Sequence, residues 1–213
     1  MNKTITVFGA SGAIGKLFIK KALDKGFNVR AYVRNLSKFD LTHQNLLSIQ
    51  GELHDFDKIK QAISDVDAVI STLGPPLKRK YDVFAVLEGH KNFVKAMEME
   101  KVKRFITIAT PSVKSTKDKP SLVTKMPTIM AKLFFPSAYK EIVQVGEVVK
   151  QSQLDWTIVR FIAPNNKHET GKAKVTFGDT KISWGISRAD IVDFLLTQIN
   201  DKQYIRSMPI IGS

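Results

Sequence analysis

A doubly wound α/β fold, its mostly parallel sheet covered by helices on both faces, is what this sequence predicts, and three observations predict it. Strand-like and helix-like segments alternate along almost all of the 213 residues, the pattern of strand–helix–strand crossovers. Several strand-like runs are apolar on both faces, as parallel strands are when helices lie above and below them. Three glycines fall within "GASGAIG", residues 9–15, between the first apolar run and the first helical pattern. The chain is long enough for a full core and short enough for a single domain. No linker, repeat or low-complexity tract divides residues 1–213.

The elements follow in order. Ile5-Thr6-Val7-Phe8 is the first strand; Ile14, Leu17, Phe18 and Ala22 then share one helix face, with Lys16, Lys20 and Asp24 elsewhere. Gly26 ends that helix where a left-handed cap is usual. "NVRAYVR" (28–34) and "NLLSIQG" (45–51) are strands, followed by a short helix through Ile59 to Ile63. "DAVIST" (67–72) is a strand, then a helix runs from about Asp82 to Met99 and "RFITIA" (104–109) is the fifth strand. A helix from about Ser137 to Gln151 leads to "DWTIVRF" (155–161). The last helix starts at Ser187, whose hydroxyl with Asp190 three residues on resembles a capping box. "SMPIIG" (207–212) closes the chain as an edge strand. One stretch breaks the rhythm: residues 111–136 carry four prolines, a polar and basic first half, and a second half rich in Leu, Met, Ile and Phe. A connection this long reads either as a functional lid or as a short helix packed on the body with a basic tip.

Composition narrows the partners. The net charge of +13 favours anionic ligands, but the basic residues are spread out and form no nucleic-acid module, so nucleic acid is not the expected partner. No apolar run reaches the length of a membrane span, and the apolar stretch after Met1-Asn2-Lys3-Thr4 ends at Gly9, too soon for a secretory signal. No membrane partner is therefore expected. The absence of cysteine excludes disulfides and thiol nucleophiles and fits a cytoplasmic protein. His43, His54, His90 and His168 lack metal-ligand spacing, so no metal is expected.

The glycines point to a nucleotide. Between a buried strand and an amphipathic helix, Gly9 permits a tight turn, Gly12 lets backbone approach a pyrophosphate, and Gly15 brings helix and sheet together. Ser11 adds a hydroxyl, and the helix N-terminus through Ala13 and Ile14 offers free N–H donors and partial positive charge. The end of the second strand distinguishes NAD from NADP, because a carboxylate there accepts from a ribose 2′-hydroxyl whereas a cation suits a 2′-phosphate. Here the strand ends "AYVRNLSK" with Arg34 at its tip and Lys38 four residues on. Guanidinium suits phosphate, so NADP(H) is the predicted cofactor.

"GASGAIGK", "YVRNLSK", "ISTLG", "EGHKN" before "VKRFITI", "LDWTIVR" and "ISRADIVDFL" resemble the atypical short-chain dehydrogenase/reductases. Most similar are the NmrA-like and biliverdin-IXβ reductase (flavin reductase)-like NAD(P)H-binding proteins. The resemblance implies a seven-stranded Rossmann-type sheet, a phosphate loop at Gly9 to Gly15, and a 2′-phosphate site at Arg34 with Lys38. It also implies adenine beside Leu53, after Gly51-Glu52, and a ribose and nicotinamide loop at Thr72, Leu73 and Gly74. Thr110 takes the usual Ser position, and Tyr139 the place of the catalytic Tyr. The chain departs from that pattern in two places. The residue four on from Tyr139 is Val143 rather than Lys, with Lys140 about 100° round the helix, and Arg160 is followed by Phe161 rather than Pro.

Two readings follow. One is an NADPH-dependent reductase of a small planar acceptor such as a quinone or flavin, with the 111–136 segment as an apolar lid and Thr110, Ser112 and Tyr139 orienting or protonating the substrate. Hydride comes from the cofactor, so a dedicated acid is optional. The other is a non-catalytic NADP(H)-sensing regulator, favoured by the broken Tyr–Lys pair. Each hydroxyl equally suits a local structural hydrogen bond. Monomer and homodimer both remain open.

Overall fold

Thr4–Phe8 (β1) places Ile5, Val7 and Phe8 entirely out of solvent, because it is a central strand with helices on both sides. In the computed structural model, which describes residues 3–171 and 173–213, it lies between two parallel neighbours. These are β2 (Asn28–Val33) and β4 (Ala68–Ser71); β3 (Leu46–Gln50) flanks β2, while β5 (Arg104–Ala109) and β6 (Asp155–Arg160) follow β4. The order β3-β2-β1-β4-β5-β6 is that of the Rossmann fold, whose strand order reverses between β1 and β4.

Helices α1 (Ala13–Asp24) and α6 (Arg188–Thr197) pack on one face, with Phe18, Ile19, Ile191 and Leu195 in one core. On the other face lie α2 (Phe56–Ile63), α3 (Ala85–Met99) and α5 (Pro136–Gln151), around Phe8, Phe93, Phe105 and Val149. Gly26 closes α1 at φ 81°, the left-handed conformation in which glycine has no Cβ penalty. Ser187 caps α6: its Oγ accepts from Asp190 N at 3.0 Å and donates to Asp190 Oδ2 at 2.8 Å.

Three expectations are corrected. The sheet has eight strands, not seven, and "SMPIIG" is not its edge: β10 (Ile210–Gly212) lies between β6 and β8 (Lys174–Thr176). β8 runs antiparallel, with Ile211 opposite Val175. Only three residues long, it leaves no alternation to read. A separate pair, β7 (Pro164–Asn165) and β9 (Ile186–Ser187), brackets the same excursion. Finally, α3 starts at Ala85 rather than near Asp82, because no local side chain caps it. Glu141 of α5 does so from a distance. Its buried carboxylate accepts from Val86 N at 2.7 Å and Leu87 N at 3.0 Å, and from Tyr81 Oη at 2.6 Å. A carboxylate at a helix N-terminus also opposes the helix dipole.

The second half of residues 111–136 is a helix, α4 (Leu122–Phe134), opened by a capping box of Ser121 and Thr124 and packed on α5. The first half is pinned. Arg160, wholly buried, donates from Nη1 and Nη2 to the Asp118 carboxylate at 2.7 Å each. Its Nε and Nη2 reach the Met208 carbonyl, and Nη1 also reaches the Val113 carbonyl at 2.9 Å. All five guanidinium donors are thereby used.

Candidate functional site

A cleft of about 790 Å³ opens at the carboxyl ends of β1, β2, β3 and β4. This is where an open α/β sheet places its ligands, at the reversal of strand order. Gly9, Ser11 and Gly12 line it from the β1–α1 turn, Arg34 from the end of β2, Leu53 from the loop after β3, and Thr72, Leu73 and Gly74 from the loop after β4. The sequence-predicted residues from four separate segments are thus brought together. Ala13, Ile14 and Gly15 form the first turn of α1 behind the cleft, and Lys38 stands exposed on the short 3-10 turn Leu36–Lys38 beyond it.

The glycines differ in what they permit. Gly9 adopts φ +80°, and a Cβ there would lie 2.7 Å from Thr72 Oγ1. That hydroxyl donates to the Phe8 and Gly9 carbonyls, each at 3.2 Å. A Cβ on Gly15 would lie 2.2 Å from the Gly9 carbonyl oxygen, so it is the loop as well as the sheet that needs this glycine. Gly12, at φ −74° and ψ 163°, would bring a Cβ only within 3.2 Å of the Gly9 oxygen, with open space otherwise. α1 has neither a side-chain cap nor a carboxylate in its first turn, leaving its N-terminal donors for an anion.

Sequence reasoning missed two features of the floor. Tyr32 lines the cleft under Gly51, where a Cβ would fall 2.0 Å from its hydroxyl, and that hydroxyl donates to the Glu52 carbonyl at 3.0 Å. Burial and the charges of Asp55 and Glu52 raise the Tyr32 phenol well above its ordinary range. A tyrosine in β2, paired with Ile49 of β3, and a glycine directly after β3 were the available signal. The other is the run between Thr72 and α3: Pro76 and Val83 line the cleft, with exposed Lys78, Arg79 and Lys80 between them.

Arg34 is exposed; its carbonyl accepts from Gln50 Nε2 at 3.2 Å, and its guanidinium has no protein partner among the described residues. Glu52 lines the same cleft without pairing to it. The three hydroxyl candidates lie outside this lining. Thr110 is exposed after β5, its Oγ1 accepting from Ser112 N at 3.4 Å. Ser112 is buried, and its hydroxyl has no partner among the described residues. Tyr139 is half-buried in the first turn of α5 under the Lys132 ammonium, 5.2 Å from its ring centroid. Among the described residues no hydrogen bond runs from one of these three hydroxyls to another.

His90, wholly buried in α3, is structural. Its Nδ1–H donates to the Val86 carbonyl at 2.8 Å, since a carbonyl can only accept, and its Nε2 accepts from Thr107 Oγ1 at 3.0 Å. Burial pushes the imidazole down from 6.5 to about 4. The unfolded chain takes up this proton below the ordinary value while the fold resists it. Stability is therefore expected to fall between pH 6.5 and 4, by about 3 kcal/mol in all, with no contribution above that window. Denaturant melts across it should be flatter for His90→Phe; parallel wild-type and variant profiles would contradict the assignment. Among the described residues no group of three or more His, Cys, Asp or Glu could hold a metal, and no helix is long and apolar enough to cross a membrane.

Fold and cleft together define a nucleotide-binding α/β protein of the Rossmann class. The model of a family described as NAD(P)H-binding matches residues 9–202, and the chain belongs to that family, in line with the atypical short-chain dehydrogenase/reductase resemblance. It is 26% identical over 159 residues to the photosystem II assembly factor Ycf39 of Cyanophora paradoxa, covering 74% of this chain but 44% of that one. It is 30% identical over 113 residues to cinnamoyl-CoA reductase 1 of Arabidopsis thaliana, again spanning only 33% of the relative. Among solved structures, a short-chain dehydrogenase/reductase of Veillonella parvula in complex with NADP superposes with a TM-score of 0.80 at 20% identity, covering 100% and 95% of the two chains. ChuY, an anaerobillin reductase from Escherichia coli O157:H7, gives 0.79 at 20% identity, with 98% and 96% covered. At such identity these two likenesses speak for the fold.

Proposed function

We propose that this chain is an NADPH-dependent oxidoreductase that transfers hydride to a small planar electrophilic acceptor such as a quinone or flavin. The observation that carries the cofactor half is Arg34: an exposed guanidinium, free of protein partners, at the cleft end of β2. In this reading the Gly9–Gly15 turn and the α1 N-terminus hold the pyrophosphate, with Ser11 donating a hydroxyl. Arg34, with Lys38 beyond it, takes the 2′-phosphate. Leu53 packs on the adenine; Thr72, Leu73 and Gly74 flank the ribose and nicotinamide. NADPH supplies the hydride when bound, and the chain orients it and excludes water.

Residues 1–213 then act as one domain, with 111–136 as the acceptor-side insertion. Thr110, Ser112 and Tyr139 are the hydroxyls this reading assigns to that side, and Ser112 Oγ is buried with no hydrogen-bond partner among the described residues. The fold shared with ChuY, an anaerobillin reductase, supports the reductase reading. A second reading, a non-catalytic NADP(H)-sensing regulator, is favoured by the same hydroxyls: none lines the cleft, and Val143 stands one turn beyond Tyr139.

Following the absorbance of NADPH across a panel of quinones, flavins and aldehydes separates the two. Oxidation of a quinone or flavin well above the protein-free control is expected. Tight NADPH binding with no acceptor turned over would overturn the reductase reading in favour of the sensor.

A further inference from the structure

α4 is amphipathic in the reverse sense to the other helices. At about 100° per residue, Leu122, Met126, Ile129 and Leu133 fall within about 60° of arc, and this stripe faces outward. Leu122 is 70% exposed, Ile129 56% and Leu133 64%, with Met130 and Phe134 exposed alongside. The opposite side, against the body, presents Val123, Thr124, Pro127 and Ala131, of which Val123 and Thr124 are buried. The bulkiest apolar side chains of the helix therefore meet solvent and the smaller ones meet protein, although burying the larger would have gained more. An exposed apolar patch of this kind marks an interaction surface.

Charge says what covers it. Lys125 and Lys132, seven residues apart, border the stripe on one side, and Lys117 and Lys119 stand exposed in the turn that leads into α4. Lys114, also exposed, donates to the Thr124 carbonyl. The one carboxylate of residues 111–136, Asp118, is already committed to Arg160. A second copy meeting the stripe antiparallel, about a two-fold axis across the helices, would line these lysines up against their own kind. An anionic surface with an apolar layer beneath it complements both features. At thirteen residues, α4 is about 20 Å long, short of the roughly 30 Å of a bilayer core, so it suits lying in the interface rather than crossing it.

We propose that α4 docks this protein on an anionic lipid bilayer, its Leu122–Leu133 stripe sunk among the acyl chains and its lysines on the headgroups. The sequence-based expectation of no membrane partner rested on spanning segments, which an interfacial helix does not need. The proposal needs no catalytic turnover, although α4 lies within the 111–136 insertion that the reductase reading uses.

Flotation of the full chain with vesicles tests it. Binding is expected to phosphatidylglycerol-containing vesicles and not to pure phosphatidylcholine, and to weaken as salt rises. Ile129→Glu with Leu133→Glu should lower the bound fraction at least about tenfold with the melting temperature unchanged, both positions being exposed. Lys125→Glu with Lys132→Glu should lower it too and flatten the salt dependence. Three results would overturn the proposal. One is no flotation with anionic vesicles. Another is flotation indifferent to the Ile129/Leu133 pair, which would leave only diffuse basic attraction. The last is a vesicle-free dimer, seen by light scattering, that this pair dissolves, which would assign the stripe to a second copy.

Discussion

Asp118→Ala is expected to destabilise the protein by about 3–5 kcal/mol, the usual cost of leaving one partner of a buried ion pair without the other. Arg160 has no exposed surface, and Asp118 supplies both of its charge-bearing contacts at 2.7 Å. The remaining partners, the Val113 and Met208 carbonyls, are neutral dipoles that cannot replace a carboxylate. Asp118 Oδ2 also accepts from Ser115 N at 2.9 Å, so the turn loses its own clasp. The loss should be largest for Asp118→Ala, smaller for Asp118→Asn, which keeps one acceptor, and smaller still for the double variant Asp118→Leu with Arg160→Met, which removes both charges together. Denaturant titration measures all three. Equal stability of Asp118→Ala and wild type would mean that the pair does not close the 111–120 turn onto β6.

Gly12→Val is expected to leave the fold intact and weaken nucleotide binding at least about a hundredfold, or roughly 2.7 kcal/mol. The backbone at Gly12 is extended, φ −74° and ψ 163°, which a β-branched residue adopts readily. Its new Cβ meets only the Gly9 oxygen at 3.2 Å, and the added bulk stands on the cleft side, where the proposed reading puts the pyrophosphate. Gly15→Val is the contrasting control, because a Cβ 2.2 Å from the same oxygen forces the turn itself to move. A melting temperature kept by the first and lost by the second, with binding lost by both, separates ligand clearance from loop packing. Unchanged affinity in a well-folded Gly12→Val protein would remove the pyrophosphate from this turn.

What the sequence made legible was local. The apolar runs of β1 and β4, the helical face of α1, the Gly26 stop and the Ser187 cap each depend on neighbours a few residues away, and each is found where periodicity and capping place it. The cleft was legible because the Gly9–Gly15 turn, Arg34 and the Thr72 loop each follow a strand of a parallel sheet, and such strands end side by side. Illegible features depend on partners far along the chain. Glu141 caps α3 from 55 residues away, Asp118 finds Arg160 across 42, and β8 is defined by β10 rather than by its own three residues. The outward face of α4 was hidden for a related reason: an apolar stripe reads the same whether it meets a core or faces away from one.

The claim on which the nucleotide reading rests is that Arg34 meets an extra phosphate. Calorimetric titration of the same preparation with NADPH and with NADH tests it most directly. NADPH is expected to bind at least about tenfold more tightly, a difference of about 1.4 kcal/mol, and Arg34→Glu should abolish that preference while sparing NADH. Equal affinity of the unaltered protein for the two nucleotides would contradict it.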